Sequence, residues 1–529
     1  MRVKAMPESA RTPEARPLPP DPLRDARVRS PHHALDVEVL IVGAGISGIG
    51  TGIELLRRGQ SSFVLLEAEG ALGGTWRDNT YPGVAVDIPS ISYCFSFETD
   101  YPWSRVFAPG EEILSYVQHC AEKYGINDHI RYGSRVIRCQ FDADADRWST
   151  ELATGEVVTS RHVVSATGLL SQPKLPAITG LETFAGKAMH SARWDHDYDL
   201  SEKRVAVIGT GASAVQIVPR IARHVARLSV FQRTPIWVGP RPDGALNHRS
   251  ALAPRRFAPV RWILRFFSEL TLDGLTFSIV NYRRLPFFVR GVQRGVRFMM
   301  RRQVKDPEVA AKLLPSYALG CKRPASSNTY LRTFNRDNVA LVTEPIERIC
   351  PEGLVTTDGE LHAVDALILA TGFLTTERGN APSFEVVGSD GVELGQFWED
   401  HRLQAYSGVS VPGFPNFFLT AGPYSGGFNW FAMLEAHLAV IMGCLDEARA
   451  RGVTRVEVER ETHARYMRHM WRRAEGTVFK DGACLGSNSY YLDRHGDAAL
   501  PLPHTPWWRA WRRRLKGVRG YRFGPPPES

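Results

Sequence analysis

Short, continuously apolar runs recur along this chain. Two of them pass at once into glycine-rich turns and then into apolar positions at helical spacing. Val37 to Val42 leads into Gly43-Ala44-Gly45-Ile46-Ser47-Gly48 and a helical stretch from Ile49 to Arg58. Such β-branched runs, closed by turn residues, predict buried strands. A second strand, Phe63 to Leu66, ends in Glu67. The pattern returns at Arg204 to Ile208, followed by Gly209-Thr210-Gly211-Ala212-Ser213-Ala214 and an apolar helix from Val215; the next strand, Leu228 to Phe231, ends in Gln232-Arg233-Thr234. Two more apolar strands, from His162 and from Asp365, close alike on Ala-Thr-Gly, at Gly168 and Gly372. Between Arg241 and Pro315, Trp262, Phe266, Phe267, Phe287, Phe288 and Phe298 recur at helical spacing with arginines interleaved, which predicts a helical insertion. The longest uncharged stretch, Leu403 to Leu434, is interrupted by prolines and glycines and reads as loops around a buried strand. The expected fold class is α/β, with two Rossmann-like dinucleotide-binding domains and a helical insertion in the second.

The two turns carry different chemistry. In strand–GxGxxG–helix context, Gly43 allows the turn, Gly45 lets backbone approach a pyrophosphate and Gly48 lets helix pack on strand. The helix N-terminus offers N–H donors and partial positive charge to that pyrophosphate. Glu67, 24 residues past Gly43, stands where a carboxylate holds ribose hydroxyls. Arg233 stands at the same spacing past Gly209, with Thr234 beside it, and a guanidinium there suits a 2′-phosphate. The first site therefore fits FAD or NAD, the second NADP. Thr210, Gly211, Ser213, Ala214 and Gln216 complete the expected second set.

Between the fingerprints stands Phe184-x-Gly186-x-x-x-His190-x-x-x-Trp194-Asp195. It resembles, without departure, the FxGxxxHxxxW(P/D) signature of type I Baeyer–Villiger monooxygenases, and the resemblance covers about 37–493. Gly73-Gly74-Thr75-Trp76 resembles the family's flavin-contacting stretch. Tyr81-Pro82-Gly83, Asp87 and Ser92-Tyr93 resemble its active-site segment, and Gly320-Cys321-Lys322-Arg323-Pro324 the stretch with its catalytic arginine. The resemblance implies FAD and NADPH as cofactors and a small hydrophobic ketone and O2 as substrates. Hydride from NADPH reduces the flavin, O2 is captured as a C4a-peroxide, and an ester or lactone results. It implies Arg323 as the cation that steadies developing negative charge, Asp87 as its orienting partner, and Lys322 on a cofactor phosphate or ribose. Gly74, Thr75, Trp76, Asp87 and Tyr93 are expected around the flavin. The signature residues are expected to hold a linker between two moving domains. Near the C-terminus, Cys484 and Ser489-Tyr490-Tyr491 depart from the commoner Cys, then Ser-Trp-Tyr.

Expected boundaries are a disordered arm over 1–35, an FAD domain over 36–175 and 376–529, an NADPH domain over 176–240 and 318–375, and the insertion over 241–317. The arm has no apolar core of a signal peptide. The formal charge of +9 admits an acidic ligand, but no basic block points to nucleic acid. Seven cysteines without a CxxC read as separate buried thiols in a reducing, cytoplasmic setting, with no metal site. They also argue against a flavin-dependent disulfide reductase. Two alternatives remain at this level: a flavin monooxygenase that oxidises nitrogen or sulfur, and a catalytically silent dinucleotide-binding protein. No protein partner is implied. The aromatic-and-arginine insertion packs on the Rossmann domains in the favoured reading and touches a membrane surface in the other.

Overall fold

The structure is a computed structural model that describes residues 36–246, 258–380, 382–480, 482–505 and 518–524. The arm expected over 1–35 lies outside them.

The apolar runs form two separate sheets. In the first, β1 (Val37–Val42) lies parallel to β2 (Phe63–Leu66) on one side and to β6 (Val157–Ser165) on the other, with Val42 opposite both Leu66 and Ser165. β3 (Ile130–Arg131) extends the sheet beyond β2, and β4 (Val136–Asp142) and β5 (Arg147–Leu152) extend it beyond β6. Two late segments return to this sheet: Glu385–Val387 pairs with β4, and Phe417–Leu419 with β6. Continuous burial explains why β1 and β2 lack the alternation of a one-sided strand. One face, with Val39, Ile41, Phe63 and Leu65, packs under α1 (Ile46–Leu56), which in turn meets α5 (Trp430–Arg451); the other, with Leu40, Val42, Val64 and Leu66, shares a core with Trp148 and Phe417.

The second sheet is wholly parallel. Its order is β10 (Val339–Val342), β9 (Arg227–Phe231), β8 (Arg204–Ile208), β11 (Ala366–Leu369), β7 (Lys187–His190). Helix α2 (Ala212–Ile221) follows β8 and buries Val215, Ile217, Val218 and Ile221 against it. Between β9 and β10 come α3 (Ala258–Val280) and α4 (Pro286–Gln303), so the insertion is helical as its periodicity predicts.

The chain passes between the sheets twice, just after each Ala-Thr-Gly. The two passages lie antiparallel: Lys174 N–H donates to Gly372 O at 2.9 Å and Leu374 N–H to Gln172 O at 3.0 Å. The Thr371 hydroxyl adds a bond to Lys174 O at 2.6 Å.

One expectation needs correction. Phe417–Leu419 is the buried strand, but the segment read as loops up to Leu434 is helical from Trp430 onward. The Asn429 side chain accepts the Phe431 N–H at 3.1 Å and starts α5. Its apolar face continues through Leu438 and Ile441, beyond the window that proline and glycine interrupt. Among the described residues, no helix is long and apolar enough to cross a membrane.

Candidate active site

A cleft of about 1850 Å³ runs between the two sheets, well above the roughly 300–1,000 Å³ of a site for one small ligand. Both glycine turns open into it. At the first, the chain itself makes the cradle: Gly43 has φ +103°, and a Cβ on Gly48 would overlap the Gly43 carbonyl oxygen. Glycine at 48 is therefore required for the turn to close onto α1, and Gly48 does not itself line the cleft. At the second, Gly209 has φ +117° and lies against the Ala370 carbonyl, so β11 closes on the turn from behind. Ala214 at the third position is fully buried in the first turn of α2. Gly45, Gly74 and Gly211 face the cleft.

Glu67 ends β2 with its carboxylate turned to the first cradle. It accepts the Ala44 N–H at 2.8 Å and the Glu69 N–H at 3.1 Å, and pairs with Arg77 at 3.0 Å. Thr75 and Trp76 open the short helix Thr75–Asp78 on the cleft wall. Trp76 meets Tyr93 edge-on at 5.7 Å, and Tyr93 in turn meets Phe431.

At the second cradle, Arg233 is exposed to the cleft, and so is the half-buried Lys322. Burial pulls the Lys322 ammonium down to about 8, and the Arg233 charge pulls the same way. Two cations thus act on one region of the wall. Thr234 is less free than expected: its hydroxyl accepts from Asn488 Nδ2 at 2.7 Å, and its carbonyl accepts from the Thr210 hydroxyl at 2.7 Å. Gln216 bridges the halves. Its amide donates to Ala85 O at 2.9 Å and its carbonyl accepts the Tyr81 hydroxyl at 3.0 Å. Burial, opposed by Ser213, raises that phenol to about 12.

Between the cradles lies a two-pronged ion pair. Arg323 Nε meets Asp87 Oδ2 at 2.6 Å and Nη2 meets Oδ1 at 2.7 Å, while Nη2 also donates to Phe428 O at 3.1 Å. The guanidinium sits 5.6 Å from the Phe428 ring centre. Burial alone would raise the Asp87 carboxyl, but Arg323, with Arg241 behind it, holds it below its usual value. Burial works against the Arg323 charge too, and Asp87 more than offsets it, so the guanidinium is locked cationic. Both side chains still face the cleft, about a quarter exposed. Tyr490 and Tyr491 line the same region.

The signature residues lie elsewhere. Phe184, Gly186, His190, Trp194 and Asp195 do not line the cleft; Arg193 among them does. Of the five, His190 ends β7, an edge strand of the second sheet in which Lys187 to His190 pair in register with Ala366 to Leu369. The Lys187 ammonium is bridged to Asp195, and Trp194 packs on the second core. Buried His190 accepts the Ala192 N–H on Nδ1 at 3.1 Å, and burial lowers its pKa. Its other nitrogen turns toward the Gly372 carbonyl without an aligned hydrogen bond, and Phe373 packs edge-on to the ring.

The cysteine reading also needs correction. Cys321 and Cys484 are joined in a disulfide, with Cα atoms 5.3 Å apart, and Cys350 is only partly buried. The pair ties the Arg323 strap to the C-terminal segment, where the Ser489 hydroxyl also donates to Cys321 O. A separation of 163 residues left no local spacing to show it. Sequence reasoning likewise missed Arg241, Arg193, Phe428 and Asn488, all isolated in loops. Among the described residues no cluster could hold a metal ion.

The family model for pyridine nucleotide-disulphide oxidoreductases matches residues 40–247, the span that holds both glycine turns. The chain is 39% identical over 478 residues to a Baeyer-Villiger monooxygenase of Streptomyces coelicolor, covering 89% of each. It is 37% identical over 465 residues to one of Pseudomonas aeruginosa, covering 88% of this chain and 86% of the relative. Among solved structures, an oxidized steroid monooxygenase bound to NADP superposes with a TM-score of 0.82 at 29% identity, over 93% of this chain and all of the other. Cyclohexanone monooxygenase from Rhodococcus sp. Phi1 bound to NADP+ gives 0.81 at 26%, over 93% and 99%. Full-length identity of this order, on a shared arrangement of both sheets, shows that the chain belongs to the Baeyer–Villiger monooxygenase family.

Proposed function

We propose that this chain is an NADPH-consuming, FAD-dependent monooxygenase that places one atom of O2 next to a ketone carbonyl, giving an ester or lactone. The observation that carries this reading is the Arg323–Asp87 pair, a fixed cation on the wall of one cleft between two dinucleotide cradles. The sheet that contains β1, with residues 36–175 and 376–529, holds FAD; the sheet that contains β8, with 176–240 and 318–375, holds NADPH. The first cradle fits FAD because Gly43 and Gly48 close backbone to backbone and Glu67, at the end of β2, holds its carboxylate on the Ala44 N–H of the turn. Bound flavin supplies the redox chemistry, taking hydride from NADPH and activating O2.

The protein positions and shields. Gly45 and the N-terminus of α1 receive the FAD pyrophosphate, and Trp76 and Tyr93 wall the ring system off from water. Gly209, Gly211 and Ser213 do the corresponding work for NADPH, and Arg233 and Lys322 take its 2′-phosphate. Arg323 holds a permanent positive charge where negative charge develops on oxygen, and Asp87 fixes the plane of its guanidinium. The substrate is a small hydrophobic ketone, and the chain works in the cytoplasm.

The purified chain should be yellow, and NADPH should bleach it. Cyclic, linear, aromatic and steroid ketones screened for NADPH consumption should yield ester matched to consumption in at least one class. A thioether run in parallel separates the alternative, since heteroatom oxidation without any ester would assign the chain to that chemistry. Colourless protein that refuses added FAD sinks the reading altogether. Gly48→Val should behave in that way: the side chain would collide with the Gly43 carbonyl, so retained flavin, read from absorbance against protein, should fall at least tenfold.

A further inference from the structure

The outer face of the helical insertion is chemically one-sided. On α4, Phe287, Phe288, Val292 and Phe298 are each more than half exposed, while Val289 and Met300 turn inward to the second core. At 100° per residue the exposed apolar positions form one stripe, and Arg290, Arg294 and Arg301 form a row along its edge. Helix α4 contains no acidic residue, and among the described residues none of these three arginines has a carboxylate partner. On α3, Trp262 is two-thirds exposed and stacks on Phe266, and Phe267 and Phe277 are exposed as well. Of the two arginines of α3, Arg265 is spent inward on Glu269 and Cys94, and Arg261 is engaged by a neighbour as well. The turn between the helices presents Arg283 and Arg284 to solvent.

An aromatic stripe bordered by unpaired cations is the pattern of a helix lying in a bilayer interface. Charge decides between possible occupants. A second copy meeting face to face would set one acid-free arginine row near another. The chain's own segment 506–516, with three tryptophans, carries five basic residues and no acidic one, so it too repels the row. An anionic lipid surface complements both stripe and row. The opposite end of α3 connects this face to the cleft: Thr276, Ile279 and Val280 line it, and Ile279 packs against Gly320, three residues before Arg323.

We propose that α3 and α4 form a docking surface for an anionic lipid bilayer, from which an apolar ketone reaches the cleft along the inner end of α3. The delivery clause rests on the monooxygenase reading; the docking clause does not. The test is sedimentation of the full-length holoprotein with vesicles of equimolar phosphatidylglycerol and phosphatidylcholine, and with phosphatidylcholine alone. The chain should pellet with the anionic vesicles and be partly released by salt. Reversing charge in R290E/R294E should lower the bound fraction about tenfold or more, as should F287S/F298S, with turnover of a water-soluble ketone unchanged. Equal pelleting with both vesicles, no pelleting, or variants that bind like the parent would overturn the docking. A concentration-dependent dimer lost in F287S/F298S, without vesicle binding, would give the face to a second copy. Intact docking with no faster turnover of bilayer-dissolved ketone would overturn delivery alone.

Discussion

Arg323→Ala should lower ester formation by roughly 10²–10³-fold, the usual effect of removing one preorganised donor from a site of developing negative charge, while NADPH still bleaches the flavin. The split is what matters. In the proposed mechanism hydride transfer depends on the two cradles, which Arg323 does not build, whereas oxygen insertion uses its cation. Stopped-flow spectra would follow bleaching, and product analysis would follow the ester; NADPH oxidation that continues with peroxide as its product would complete the expected pattern. An ester yield equal to the parent's would remove Arg323 from the chemistry and leave it a structural ion pair. Loss of folding is a weak rival explanation, because both partners face the cleft and the Asp87 carboxylate keeps Arg241 beside it. Asp87→Ala is the companion experiment. It retains the charge but frees the guanidinium, so the loss should be smaller, about tenfold, and a melting curve should show both variants folded.

The second large effect concerns the nicotinamide cofactor and pH. Arg233→Ala should raise the KM for NADPH by roughly tenfold to a hundredfold, the range for a lost hydrogen bond to a charged group, and leave NADH nearly untouched. Lys322 adds a pH dependence. With its ammonium near 8, the lysine is charged below that pH and neutral above it, so in the proposed role its attraction for the 2′-phosphate is lost on the alkaline side. A bound phosphate favours the charged form, so affinity must fall as the pH rises through 8. The KM for NADPH should therefore climb between pH 7 and pH 9 more steeply than that for NADH, and Lys322→Met should flatten the difference. Parallel profiles for the two cofactors would refute the assignment of Lys322.

The sequence disclosed most of what chain-local physics dictates. Strand, turn and helix at 37–58 and at 204–221 follow from apolar continuity and from glycine at positions where backbones touch, so the two cradles were readable with their acid and their cation. Arg323 and Asp87, 236 residues apart, were paired only through family resemblance; no periodicity links them. What stayed hidden has the same character. The Cys321–Cys484 bond, the Asn488–Thr234 contact and the seat of Arg241 behind Asp87 join remote loops whose approach is set by how the two sheets face each other. The signature was legible as a motif, but the edge strand within it was not: Lys187 to His190 alternate too little to announce one, and β11, which they pair with, lies far downstream.

The doubled passage between the sheets limits how the halves can move. One crossing strand would let the half built on β8 swivel in any direction; two laid side by side, and stitched from Lys174 to Gly372 and from Gln172 to Leu374, act as parallel rails. Bending across the rails stays cheap, while twisting them apart would break those bonds. His190 sits against that track, its ring edge-on to Phe373. The signature's histidine is thus tied to the doubled passage between the sheets and not to the wall of the cleft.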